Sequence, residues 1–276
     1  MYDKSHHPPV VLAIGGHDPG GGAGIQADIE AIAANGCHAA TALTCLTIQD
    51  SCNVSQLLPI DVSILKDQIN ATLGDCRVAA VKIGLVGSLP AAQAIIDILR
   101  HHSTIPVVFD PVLAAGGGSE LADQDLIDCL RQTLIPLCRL LTPNQPEAVR
   151  LAGSNGVRDY DIMASRLLEL GAESVLITGS HDPDGGSEII HRLYQPSRPP
   201  TLSRWQRLAG EYHGSGCTLT SAIAARMATG EALPAAVEQG LAYSWSAVAQ
   251  GFRTGRCQAI PERLGPIRRG HPHDGG

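Results

Sequence analysis

Val10-Val11-Leu12-Ala13-Ile14-Gly15-Gly16-His17-Asp18-Pro19-Gly20-Gly21-Gly22-Ala23-Gly24-Ile25 begins as a strand-sized apolar run, breaks into a glycine cluster and leads into a helix-like stretch over 25–34. The same order recurs downstream. Strand-like 39–46 precedes helix-like 62–73, 78–83 precedes 91–101, and 107–109 precedes 121–134. It continues with 139–141, then 147–151 and 160–170, and then the strand-like 174–177. This alternation predicts an α/β three-layer sandwich: a central, mostly parallel sheet with helices on both faces. The rhythm changes at Glu188, where an apolar run follows the turn-prone 182–186 and leads into proline-rich 196–200, which predicts a small antiparallel edge hairpin. Two long helices, roughly 217–228 and 234–251, should close the fold. The expected organisation is one domain over 10–264, with flexible tails at 1–9 and 265–276.

With 276 residues, 44% of them hydrophobic and 17% charged, the chain can bury a sizeable core. Its 20 Lys and Arg against 27 Asp and Glu give a net charge of -7, which offers no footprint for nucleic acid or an anionic membrane. No basic stretch leads into a long apolar segment at the start, so a soluble cytoplasmic protein is expected. The eight cysteines contain no C-x-x-C pair, and neither a disulfide framework nor a zinc site is expected. His271 and His273 should be solvated in the tail.

Glycines cluster at three strand-to-helix junctions: 15–24, 116–118 and 214–216. Glycine lets backbone approach a ligand, and N–H groups at a helix start attract anions. The only lysines, Lys4, Lys66 and Lys82, do not stand in a G-x-x-x-x-G-K-[ST] pattern, which excludes a P-loop. Pro19 interrupts the first cluster and no G-x-G-x-x-G register fits, which argues against dinucleotide binding. The third cluster is more informative. In His213-Gly214-Ser215-Gly216-Cys217-Thr218 the N–H groups of Gly214, Ser215, Gly216 and Cys217 can surround phosphoryl oxygens, and the positive helix end should favour a Cys217 thiolate able to act as a base. A glycine-rich turn with a buried cysteine is the plain alternative.

Seven segments in order carry a resemblance: 16–28, Thr41-Ala42-Leu43-Thr44 with Ile48-Gln49-Asp50-Ser51, Val81-Lys82-Ile83-Gly84-Leu85, Asp110-Pro111-Val112-Leu113, 141–148, 177–181 and 213–218. The chain resembles the hydroxymethylpyrimidine and phosphomethylpyrimidine kinases of thiamine biosynthesis, members of the ribokinase-like superfamily. The resemblance implies that ATP, with Mg²⁺, phosphorylates 4-amino-5-hydroxymethyl-2-methylpyrimidine to the monophosphate and then to the diphosphate, in a homodimer. It also implies residue roles. Cys217 is the catalytic base, with Gly214, Ser215 and Gly216 forming the anion hole. Gln49 reads the aminopyrimidine edge through its carboxamide, and Ala23, Leu85 and Val112 wall the ring. Asp28 is a carboxylate near the substrate. Asn144, Thr178 and Gly179 belong to the nucleotide side, and Glu147 and Asp110 to the metal side. Asn144 and Glu147 have the spacing of a helix capping box as well. Lys82 and Asp110 end strands, where either could equally serve a structural ion pair.

The sequence departs from the family at two places. Lysines that many members carry after the Asp-Pro-Val segment and before the Gly-Gly-His turn are replaced here within 114–118 and at Thr178. The loss bears most on the second phosphorylation, whose acceptor is already anionic, and Arg204 and Arg207 are the substitute cations considered. Two other readings are a pyridoxal kinase of the same superfamily and a noncatalytic pyrimidine-phosphate sensor.

Overall fold

The computed structural model describes residues 7–154, 159–180 and 186–265. Most of both expected tails, His181, the turn residues 182–185, and His271 and His273 lie outside the described residues. Nine strands form one sheet in the order β3-β2-β1-β4-β5-β6-β7-β8-β9. They are β1 (Val10–His17), β2 (His38–Gln49), β3 (Val54–Pro59), β4 (Val78–Ile83), β5 (Val107–Phe109), β6 (Leu140–Leu141), β7 (Val175–Ile177), β8 (Glu188–Tyr194) and β9 (Thr201–Gln206). The six strands from β2 to β7 in sheet order run parallel. β3 at one edge and β8 with β9 at the other are antiparallel.

The helices are α1 (Gly24–Ala34), α2 (Val62–Asp75), α3 (Leu89–Arg100), α4 (Gln124–Cys129), α5 (Gln145–Ala152), α6 (Tyr160–Glu169), α7 (Ser215–Ala228) and α8 (Leu233–Ala249). Strand alternation divides the core between two layers. Leu12, Ile14, Val81, Ile83, Phe109 and Leu141 join the helices α2 to α6 through residues such as Leu65, Ile95 and Met163. Their neighbours Val11, Ala13, Ala80, Val108 and Leu140 pack against Ile32 of α1, Leu219 and Ile223 of α7 and Leu241 of α8. From β1 the sheet grows one way through β2 and the other way from β4 onward, so its topological switch point lies between β1 and β4. In open α/β sheets, ligands bind outside the strand carboxyl ends at that point.

Three features differ from expectation. β3 is absent from the sequence reading because it is largely exposed on both faces, so no apolar alternation marks it. The helix expected over 121–134 is instead α4, a π-helical turn at Leu130–Leu134 and a 3-10 turn at Ile135–Leu137. Asp123 starts α4 by accepting from the Leu126 N–H at 2.9 Å, and Pro136, which has no N–H to give, lies in the tight last turn. No disulfide framework is expected, and the structure holds a bridge that the sequence reading does not foresee: Cys52 and Cys257 are bonded across a separation of 205 residues, a spacing no local motif reveals. Among the described residues, no helix is long and apolar enough to cross a membrane.

Candidate active site

The register of the parallel strands assembles the site. Lys82 stands two residues beyond Ala80, Asp110 two beyond Val108 and Thr142 two beyond Leu140, so all three side chains share the α7 face at the carboxyl edge. The first half of α7 lies over them. Thr142 Oγ1 and Thr220 Oγ1 are 2.9 Å apart. The Ser221 hydroxyl donates to Asp28 Oδ1 at 2.7 Å, and Lys82 Nζ donates to the same oxygen at 2.7 Å. The Cys217 thiol lies beside Asp110 and the Gly24 N–H at the start of α1, close enough for both to act on its protonation.

These contacts decide the protonation states. Burial pushes the Cys217 thiol up to about 12; Lys82 opposes this, while Asp110 and Asp28 reinforce it. The expected thiolate is therefore corrected to a protonated thiol, because two carboxylates and burial outweigh the helix end and one ammonium. Lys82 is fully buried, which disfavours its charge, but the Asp28 and Asp110 carboxylates outweigh that penalty and hold its pKa above the ordinary value. Asp28 is 0% exposed and is occupied by Lys82 and Ser221 on one oxygen, while its Oδ2 has no hydrogen-bond partner. Its visible role is in that buried ion pair.

α7 begins at Ser215 without a side-chain cap, which leaves the first-turn N–H groups of Ser215, Gly216 and Cys217 facing out of the helix. Gly214 must be glycine here. Its φ is 76°, and an added Cβ would fall 1.9 Å from the Gly22 carbonyl oxygen. Gly216 lies beside Asp110, where a Cβ would stand 3.5 Å from Oδ2.

At the ends of β6 and β7, Asn144 caps α5 in a reciprocal box. Its Oδ1 accepts from the Glu147 N–H and its own N–H donates to Glu147 Oε2, each at 2.9 Å. Asn144 pairs with Thr178, whose N–H donates to the Pro143 carbonyl at 2.9 Å. Gly179 is needed for packing, since a Cβ there would lie 2.2 Å from the Ile190 carbonyl oxygen. Burial and the Asp110 charge push Glu147 up to about 8, and burial with the Asp28 charge, against Lys82, pushes Asp110 to about 6.

Two buried carboxylates, both raised by burial and Glu147 raised further by the Asp110 charge, form a donor set suited to a divalent cation. Among the described residues no cluster of three or more His, Cys, Asp or Glu side chains is present to enclose one. Mg²⁺ uses one or two carboxylates and completes its shell with water and phosphate oxygens. Asp110 and Glu147 are the residues that would hold it.

The remaining expected residues follow the ends of neighbouring strands. Gln49 is the last residue of β2, at an irregularity in its pairing with β3. Leu85 follows β4, its carbonyl accepting from Thr44 Oγ1 at 2.6 Å, and Val112 follows β5, its N–H donating to the Asp110 carbonyl at 2.9 Å. Ala23 precedes α1 and donates to Asp18 Oδ2 at 2.7 Å. Arg204 pairs with Glu188, and Arg207 donates to the Ser180 and Gly186 carbonyls, bonds that run along the β8 and β9 edge and not to the α7 amides.

Sequence reasoning missed two sets of contacts. His213 Nε2 lies 3.1 Å from Asp18 Oδ2, joining two glycine segments 195 residues apart. Arg263 is buried against the same segments. Both residues of the first pair stand in quoted motifs, whereas nothing local marks Arg263. The tip of the β2 and β3 hairpin closes over this edge, through the Cys52 to Cys257 bond and the Gln258 N–H to Ser51 carbonyl bond at 3.1 Å. A cavity of about 30 Å³ remains beneath, lined by Asp18, Gly22, Ser51, His213 and Gln258 among others. A larger hollow of about 410 Å³ lies at the opposite, amino edge of the sheet, where its charged pair, Arg139 and Glu173, is already satisfied.

The fold places the chain among the ribokinase-like vitamin kinases. Pyridoxal kinase of Bacillus subtilis, solved with ADP, superposes with a TM-score of 0.85 at 26% identity over 95% of this chain and 99% of that one. Phosphomethylpyrimidine kinase of Clostridium difficile superposes at 0.75 with 32% identity, over 87% of this chain and 99% of that one. Within that class, the chain belongs to the phosphomethylpyrimidine kinase family, whose pattern it matches over residues 18–261. It is 34% identical over 250 residues to the hydroxymethylpyrimidine/phosphomethylpyrimidine kinase of Haemophilus influenzae, covering 89% of this chain and 93% of that protein. It is 37% identical over 256 residues to the thiamine biosynthesis bifunctional protein ThiED of Geobacter sulfurreducens, covering 89% of this chain. The chain spans about half the length of that relative, 50%.

Proposed function

We propose that the chain transfers the γ-phosphoryl group of ATP to the hydroxymethyl oxygen of 4-amino-5-hydroxymethyl-2-methylpyrimidine, and in a second turnover to the resulting monophosphate. The observation that carries this reading is the convergence, on one sheet edge, of uncapped α7 amides, the Cys217 thiol and the buried carboxylates Asp110 and Glu147. Phosphoryl transfer asks a protein mainly to position the reactants and to offset developing negative charge. The amides of Gly214 to Cys217 supply the second.

Gln49 orients the ring through its carboxamide, and Ala23, Leu85 and Val112 cover the ring faces. As the hydroxymethyl oxygen bonds to phosphorus and ADP leaves, its proton passes to the Cys217 sulfur in concert with the departure of the thiol's own proton, because the thiol is already protonated. Asp110, the carboxylate beside the thiol, receives that departing proton. Asn144, Thr178 and Gly179 border the nucleotide phosphates. Mg²⁺ held by Asp110 and Glu147 supplies charge neutralisation when bound. We place this activity in the cytoplasm, in a homodimer and in one domain over 10–264.

A purified-protein assay with Mg-ATP tests the reading by offering the hydroxymethyl pyrimidine, its monophosphate and pyridoxal in parallel. Phosphorylation of the pyrimidine is expected, with the monophosphate the slower acceptor because two phosphate-facing lysines are missing. Phosphorylation of pyridoxal alone would overturn the specificity, and no transfer to any of the three would favour a noncatalytic sensor.

A further inference from the structure

Arg263 is 1% exposed, and its guanidinium joins three separate segments. Nε donates to Thr218 Oγ1 at 2.8 Å in the first turn of α7. Nη1 donates to the Gly21 carbonyl at 3.3 Å and to Glu30 Oε2 of α1 at 3.1 Å, and Nη2 donates to the Gly22 carbonyl. Thr218 Oγ1 in turn donates to the Gly214 carbonyl at 2.8 Å. The planar fork thus ties the glycine segment before α1 to the start of α7, at the place where Gly214 and Gly22 approach most closely.

We infer that Arg263 is a positioning residue for phosphoryl transfer, one that fixes the separation between the α7 amides and the loop carrying Ala23. The inference rests on the function proposed above. The α7 amides meet the migrating phosphoryl group, while Ala23 walls the ring that carries the attacking oxygen. A guanidinium meets two successive carbonyls, a hydroxyl and a carboxylate together, and neither an ammonium nor a carboxamide has that many donors in a fixed plane. Displacing one loop against the other moves nucleophile and phosphorus out of line, and misplacement of about 1 Å can cost roughly 100-fold in rate.

Arg263→Lys and Arg263→Gln test this beside Tyr243→Phe. Tyr243 OH donates to the Arg263 backbone carbonyl at 2.9 Å, so its loss loosens the same segment without touching the guanidinium. In folded Arg263→Lys, kcat is expected to fall by roughly 100-fold while KM for ATP changes little. Tyr243→Phe should lower the thermal midpoint and keep the wild-type kcat. Guanidinium at non-denaturing concentration should restore part of the rate to Arg263→Gln. Wild-type kcat in folded Arg263→Lys, or a loss of kcat that tracks the thermal midpoint across all three variants, would overturn the inference. A wild-type protein that phosphorylates nothing would instead overturn the proposed function, so the two failures are distinct. If both Arg263 variants failed to fold while Tyr243→Phe folded normally, Arg263 would be a folding residue and the inference would again be overturned.

Discussion

Cys217 shows how far a residue type can be read without its surroundings. At a helix start next to glycines, the sequence points to a thiolate. Burial reverses this first, reinforced by Asp110 and Asp28, which stand 107 and 189 residues earlier in the chain and whose approach depends on strand register. With its thiol pushed up to about 12, Cys217 should react with iodoacetamide at pH 8 more slowly than an ordinary free thiol. Peptide mapping after timed alkylation checks this, and rapid labelling would contradict it. Cys217→Ala should lower kcat by about 10² to 10⁴-fold with pyrimidine KM nearly unchanged, because the sulfur acts on the proton and not chiefly on the ring. Steady-state kinetics with both substrates decides that point.

Asp18 is the second residue whose environment sets its state. Burial alone would raise its pKa, but His213 and the N–H groups of Ala23 and Gly20 outweigh burial and lower it from 3.8 to about 2. A carboxyl depressed on folding stabilises the fold above its unfolded pKa, and that contribution is lost as pH falls from about 3.8 to about 2. Asp18→Asn should therefore cost about 2 kcal/mol at neutral pH and much less near pH 2, as read by urea unfolding at each pH. An equal cost at both would remove the ionic component.

Among the elements, β1, β4 and the long terminal helices were legible, because their apolar runs are continuous or strongly periodic. α7 was expected over 217–228 and forms at Ser215–Ala228, and α8 was expected over 234–251 and forms at Leu233–Ala249. The β8 and β9 hairpin was announced by its turn-prone and proline-rich flanks. β3 left no such trace, because it buries little on either face, and the latch at its tip depends on Cys257, far along the chain. Closing so long a loop stabilises a fold by about 2–5 kcal/mol. Cys257→Ser, or a reductant, should lower the thermal midpoint, while Cys37→Ser should not respond to reductant differently from wild type. A midpoint indifferent to reductant in wild-type protein would contradict the bond. A reducing compartment would hold these two thiols open, leaving the hairpin tip to its hydrogen bonds with the segment around Gln258.

For the whole molecule, the shared direction of the parallel strands puts their carboxyl ends at one edge of the sheet, on either side of the switch point between β1 and β4. The order of motifs along the chain foretold the family and the sheet, but not which side chains touch, since that depends on alternation along β4, β5 and β6. The β2 and β3 hairpin also turns Leu46, Ile48 and Leu58 outward at 40%, 53% and 40% exposure. Leu46 and Leu58 are directly paired across the strands. A second copy covering this face fits the proposed homodimer. Light scattering should give twice the chain mass of 28.9 kDa, and a monomer would contradict it.

The most direct measurement is a crystal structure with 4-amino-5-hydroxymethyl-2-methylpyrimidine and a nonhydrolysable ATP analogue bound. It should place the hydroxymethyl oxygen within hydrogen-bond reach of the Cys217 sulfur, the terminal phosphate on the amides of Ser215 to Cys217, and the Gln49 carboxamide on the aminopyrimidine edge. A pyrimidine bound away from that sulfur, with the terminal phosphate off the α7 amides, would contradict the account.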